Sequence, residues 1–143
     1  MFQSFDSAGD PSVGKPRVAK LREWMATNGL DGFLVPRADE HQGEYVPARA
    51  ARLRWLTGFS GSAGMALILA KRAFVFVDGR YTLQVRAEVD LHIFSIESLV
   101  DNPPPAWIRS NLAKGTRLGF DPWLHTVSEV KALQASADKV GAE

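Results

Sequence analysis

Two five-residue runs narrow the fold more than any other feature: Met65-Ala66-Leu67-Ile68-Leu69 and Ala73-Phe74-Val75-Phe76-Val77 contain no polar side chain. Each is too short for a buried helix, and Ala70-Lys71-Arg72 between them supplies a turn, so the pair predicts a β-hairpin. A strand that is apolar at every position has no face to give to water. Such a hairpin belongs in a sheet covered by helices, not in one with a solvated side.

The flanking sequence supplies those helices. Val18, Leu21 and Met25 recur at helical spacing after Pro16, and Asn28-Gly29 is a stop signal, so a first helix is expected from about residue 16. Gly32-Phe33-Leu34-Val35, ending at Pro36, reads as a further buried strand. Pro47 is placed to open a second helix with Ala48, Ala51, Trp55 and Leu56 on one face and Arg49, Arg52 and Arg54 largely off it. After Asp78-Gly79 a helix is expected with Tyr81, Val85 and Val89 on one face, then a strand over Leu91 to Ile96. Asn102-Pro103-Pro104-Pro105 leads into a short helix holding Trp107, Ile108 and Leu112. Arg117 to Asp121 reads as a strand. Thr126 and Glu129 have the spacing of a capping box, which predicts a last helix over about Val127 to Ala137. This alternation predicts an α/β fold with a mixed β-sheet flanked by helices.

Size and composition exclude several function classes. A chain of 143 residues is about one domain and buries enough surface to need no staple. It has no cysteine, which removes disulfides, thiolate catalysis and cysteine-based zinc sites and fits a reducing, cytoplasmic setting. A net charge of +1 gives no ground for nucleic acid or a charged membrane surface as partner. Nothing approaches the ~20-residue apolar run of a membrane span. Residues 1–15 are polar with Gly, Ser and Pro and read as a flexible lead-in without the apolar core of a secretion signal. The folded unit is expected over residues 16–143, and it stops where another strand would naturally begin.

Several motifs fail on spacing. Gly58 to Gly64 runs G-x-x-G-x-x-G with no Lys-Ser/Thr behind it, and a strand follows instead of a helix, so it is not a phosphate cradle. It reads as a tight entry to the hairpin. A serine-hydrolase arrangement of Ser60 or Ser62 with His41 and Asp78 lacks the G-x-S-x-G elbow. Asp39, Glu40, His41 and Glu44 could offer ligands to a divalent ion, but one loop without distant partners is no metal site. A hydrogen-bonded loop accounts for them better. The other histidines, His92 and His125, sit in no matching motif.

Asp78-Gly79-Arg80-Tyr81 stands at a strand end and a helix start, where α/β sheets place ligand-binding groups. Asp78 can cap the helix, leaving Arg80 and Tyr81 to project from a rigid corner. An Arg fork there suits a carboxylate or a peptide carbonyl. Equally, Arg80 could serve only a local ion pair with Asp78 or Glu44, with Tyr81 in the core.

Four segments together resemble the N-terminal domain of aminopeptidase P, the metal-dependent Xaa-Pro aminopeptidase of the creatinase/prolidase superfamily. They are Val35 to Tyr45 (VPRADEHQGEY), Arg54 to Gly64 (RWLTGFSGSAG), Val77 to Gln84 (VDGRYTLQ) and Leu118 to Pro122 (LGFDP), in matching order over roughly residues 16–140. The resemblance implies a creatinase-type domain with a ribonuclease H-like motif over residues 16–143. It also implies a separate C-terminal catalytic domain, absent from this chain, holding two divalent metals, commonly manganese; no cofactor and no catalytic residue is expected here. By the same resemblance the substrate is a peptide with proline second, the chain's partners are its own catalytic domain and a second copy in a homodimer, and Arg80 contacts the peptide. Tyr81, Asp39, His41, Glu44 and Tyr45 match the family's polar positions lining the same cleft. The rival reading is a non-catalytic binding module of the histone-chaperone type, which shares the domain pair without the metal chemistry; creatinase or prolidase specificity is a third.

Overall fold

The computed structural model describes residues 9–43, 45–47 and 50–143. The hairpin forms where the two apolar runs place it: β2 is Met65–Leu69 and β3 is Ala73–Val77, paired antiparallel with Met65 opposite Phe76. β1, Gly32–Pro36, lies antiparallel on the other side of β2. Two parallel edge strands complete a five-stranded mixed sheet in the order β4-β3-β2-β1-β5, with β4 at Ser95–Ser98 and β5 at Leu118–Phe120.

Alternation along the strands divides the core into two layers. Val35, Ala66, Ile68, Ala73, Val75 and Val77 face one way and pack with α1 (Gly14–Thr27), α2 (Arg52–Thr57) and α3 (Thr82–Glu88) through Val18, Met25, Leu53, Leu56 and Val85. Leu34, Leu67, Phe74 and Phe76 face the other way and meet α4 (Pro104–Asn111) and α5 (Val127–Val140) through Trp107, Ile108 and Ala137. Phe74 and Trp107 are in ring contact, with centroids 4.6 Å apart. Each fully buried Leu, Ile or Phe contributes roughly 1.5–3 kcal/mol, so the wholly apolar strands are what hold helices on both faces.

Local signals set most boundaries. Gly29, at φ +69°, follows the end of α1, and Gly141, at φ +72°, ends α5 three residues later than expected. The capping box is present in both directions: Thr126 Oγ1 accepts from Glu129 N at 3.2 Å, and Glu129 Oε2 accepts from Thr126 N at 3.1 Å. Three expectations shift. Within the lead-in, Pro11–Val13 form a 3-10 turn capped by Asp10, and α1 starts at Gly14. α2 starts at Arg52 and buries Leu53 and Leu56, while Trp55 is 53% exposed beneath the Arg17 guanidinium; Ala48 and Arg49 of the expected helix lie outside the described residues. Asp90 folds the next segment into a turn, its carbonyl accepting from Ile93 N and Phe94 N, so β4 begins at Ser95 instead of Leu91.

Candidate functional site

Strand polarity decides which loops meet. β1 and β3 each run antiparallel to β2, while β5 is parallel to β1 and β4 to β3. The carboxyl ends of β1, β3, β4 and β5 and the start of β2 therefore share one end of the sheet. That end gathers the turn after Pro36, the glycine-rich loop before Met65, Asp78 to Tyr81, and the residues after Phe120. Arg37 N donates to Gly64 O at 2.9 Å, joining the first two. Gln42 Nε2 donates to Leu124 O at 3.0 Å, joining the first and last, and Arg52 of α2 pairs with Asp121.

Asp78 caps the 3-10 turn Gly79–Tyr81, its Oδ1 accepting from Arg80 N at 2.9 Å. The same carboxylate holds the Arg80 side chain: Nη2 donates to Oδ2 at 2.8 Å and Nε reaches both oxygens at 3.2 and 3.3 Å. This side-chain bonding holds the Asp78 carboxyl below the usual carboxylate range and raises the Arg80 value. The guanidinium carbon stands 5.2 Å from the Tyr81 ring centroid, and the Arg80 side chain remains 70% exposed. The local ion pair and the open fork are thus both present in one geometry. A guanidinium so held has donor capacity left over and is pre-aimed outward.

Tyr81 is half-buried. Its ring meets Phe59 edge-on at 5.6 Å, and its hydroxyl is hydrogen-bonded to the Ser62 hydroxyl. That bond to Ser62 pulls the Tyr81 phenol down from its ordinary value. The glycine-rich loop can approach because residue 61 has no side chain; a Cβ there would lie 2.9 Å from Tyr81 Cδ1. Neither serine is arranged as a nucleophile: Ser60 Oγ donates to Glu88, not to a histidine.

One strand away, Asp39 is buried and its Oδ1 accepts from His41 N at 3.0 Å and Gly43 N at 2.9 Å, so this carboxylate shapes the turn. Gln42 takes the left-handed conformation at φ +54°. His41 projects into solvent with Nε2 3.6 Å from Glu40 Oε1, and Tyr45 is 86% exposed. Glu44 lies outside the described residues. The structure therefore brings Arg80, Tyr81, His41 and Tyr45 to one end of the sheet, in two groups separated by β2. Among the described residues, no group of three or more His, Asp or Glu side chains is placed to hold a metal ion.

Sequence reasoning missed three participants: Ser60 and Ser62, which it weighed only as nucleophiles, and Glu88. The signal was there in Gln84 and Glu88, two hydrogen-bonding side chains one helical turn apart on α3.

The creatinase/prolidase N-terminal domain model matches residues 17–142. The chain belongs to the creatinase/prolidase N-terminal domain family. Xaa-Pro aminopeptidase 2 of Homo sapiens is 35% identical over 107 residues, which cover 75% of this chain and 16% of the relative. The X-prolyl aminopeptidase of Caenorhabditis elegans, a cytosolic enzyme with a di-nuclear active site, superimposes with a TM-score of 0.81 at 25% identity over 90% of this chain and 23% of the enzyme. The N-terminal domain of the cytoplasmic peptidase PepQ from Mycobacterium tuberculosis superimposes with a TM-score of 0.65 at 26% identity, covering 90% of this chain and 89% of that domain. The creatinase-type domain thus accounts for almost all of this chain, yet it spans only about a fifth of the full-length aminopeptidases, 16% of one and 23% of the other.

Proposed function

We propose that this chain is the substrate-recognition and oligomerisation domain of a cytoplasmic, metal-dependent Xaa-Pro aminopeptidase, with no catalytic activity of its own. The observation that carries the reading is the Arg80 guanidinium: it is held by Asp78, stacked beside Tyr81 and turned outward at the loop-bearing end of the sheet. It stands on an open corner that another domain could close. In this reading Arg80 donates to a carbonyl or the carboxylate of a peptide with proline second. Tyr81 walls the same contact, and His41, Glu44 and Tyr45 border the cleft from the neighbouring loop, whose turn Asp39 shapes. The two divalent metals and the bond-breaking groups belong to the catalytic domain.

The test is a pair of assays. The purified 143-residue chain is expected to release no N-terminal residue from Xaa-Pro peptides with manganese present, whereas the full-length protein does so. Turnover by the isolated chain, free of contaminating peptidase, overturns the reading. A full-length protein that binds such peptides without cleaving them supports the binding-module alternative instead.

A further inference from the structure

Glu88 is a carboxylate buried to 1% exposure at the end of α3, and the function proposed above gives it no role. Burying a carboxylate is costly unless donors surround it. Here Ser60 Oγ donates at 2.7 Å, Ser60 N at 3.2 Å and Gln84 Nε2 at 2.8 Å. The glycine-rich loop is laid directly on this end of the helix: Gly58 has φ +86°, and a Cβ on it would lie 2.7 Å from the Glu88 carbonyl oxygen. A network of this kind fixes one loop conformation. Two residues beyond Ser60, the same loop delivers the exposed Ser62 hydroxyl to Tyr81.

Two hydroxyls bonded to each other use one O–H between them and leave one free. With the Tyr81 ring centroid 5.2 Å from the Arg80 guanidinium carbon, a free O–H on this pair puts two donor groups at one corner, and a peptide offers acceptor oxygens to both. We infer that the Ser62–Tyr81 hydroxyl pair is a second peptide-carbonyl contact next to Arg80, and that Glu88, acting through Ser60, is the positioning residue that holds the pair together. The inference rests on the peptide-recognition reading above.

The clamp is tested without peptide. The chain has two tyrosines, so labelling the phenol carbons gives two NMR signals, assigned with Tyr81→Phe. Ser62→Ala is expected to raise the Tyr81 titration midpoint. Ser60→Ala and Glu88→Gln are expected to move Tyr81 in the same direction, an effect that a general loss of stability does not mimic in a chain that stays folded. A Tyr81 midpoint unmoved by Ser62→Ala, or moved by it but not by Ser60→Ala, overturns the clamp. If Glu88→Gln does not fold, Ser60→Ala alone decides.

The peptide contact is tested in the full-length protein. Ser62→Ala and Ser60→Ala are expected to raise KM for Xaa-Pro peptides by about three- to tenfold with kcat little changed. A KM raised by Arg80→Ala but not by Ser62→Ala defeats only this inference. A KM raised by none of them defeats the peptide-recognition reading itself, even where the tyrosine titration confirms the clamp.

Discussion

The Arg80 guanidinium lies against the carboxylate of Asp78, two residues away, with Nη2 2.8 Å from Oδ2 and Nε within 3.3 Å of both oxygens. Because the pair is exposed, its effect is to orient the fork, not to hold the fold together. Arg80→Ala is therefore expected to leave Tm almost unchanged and to raise KM of the full-length protein about tenfold or more. Asp78→Asn, which keeps the cap but weakens the grip, is expected to raise KM less. Steady-state kinetics with peptides of increasing length check both, and a fall in Tm with KM unmoved would mark Arg80 as structural.

Gly61 is the narrow point of the loop. Alanine there would place a Cβ 2.8 Å from Phe59 Cε2 and 2.9 Å from Tyr81 Cδ1, both on packed rings. The expected cost is about 1–3 kcal/mol of stability from overpacking, measured by urea unfolding. The Tyr81 signal should shift as Ser62 is pushed away. A variant as stable as the parent, with an unperturbed Tyr81, would show that the loop is not held as described.

His125 supplies a pH-dependent contribution. Its side chain is wholly buried edge-on to Phe120, and among the described residues neither ring nitrogen has a partner in good hydrogen-bond geometry, the nearest carboxylate oxygen being Glu129 Oε2 at 3.5 Å from Nδ1. Burial pushes its pKa down; Glu129, 3.5 Å away, and Asp121 oppose this without overcoming it. The folded value therefore lies below the unfolded value of about 6.5, so the stability tied to neutral His125 is complete above that pH. It is lost as pH falls from there towards the folded-state value. His125→Phe should remove this component while keeping an aromatic ring in place. Unfolding free energies of the two proteins from about pH 8 downward should diverge below about 6.5; parallel curves would refute the assignment.

Thr126→Ala removes the cap of α5 and is expected to cost about 1 kcal/mol. Glu129→Gln keeps the reciprocal bond to Thr126 N and should cost less. Thermal unfolding checks the order of the two variants, and equal losses would mean that the Glu129 charge, not the cap geometry, is what matters.

Short-range chemistry was enough for the hairpin, the capping box, the glycine stop after α1 and the Asp78 cap, because each depends on residues within a few positions of one another. Even the covering of both sheet faces followed from strands with no polar residue to turn outward. Elements whose limits depend on distant partners were read less well. β4 is set by its parallel register with β3, Ser95 opposite Phe74, and not by the apolar residues Leu91, Ile93 and Phe94 that precede it. On α2 it is Leu53 that packs with Leu56 into the core, whereas Trp55 lies at the surface against Arg17 of α1. The site follows the same division. Asp78-Gly79-Arg80-Tyr81 announced itself as a corner, but its neighbours Ser60 and Ser62 come from the loop before β2, which only strand pairing brings to it and to Glu88 at the end of α3. A buried carboxylate such as Glu88 looks like any surface glutamate until the loop that satisfies it is folded over it.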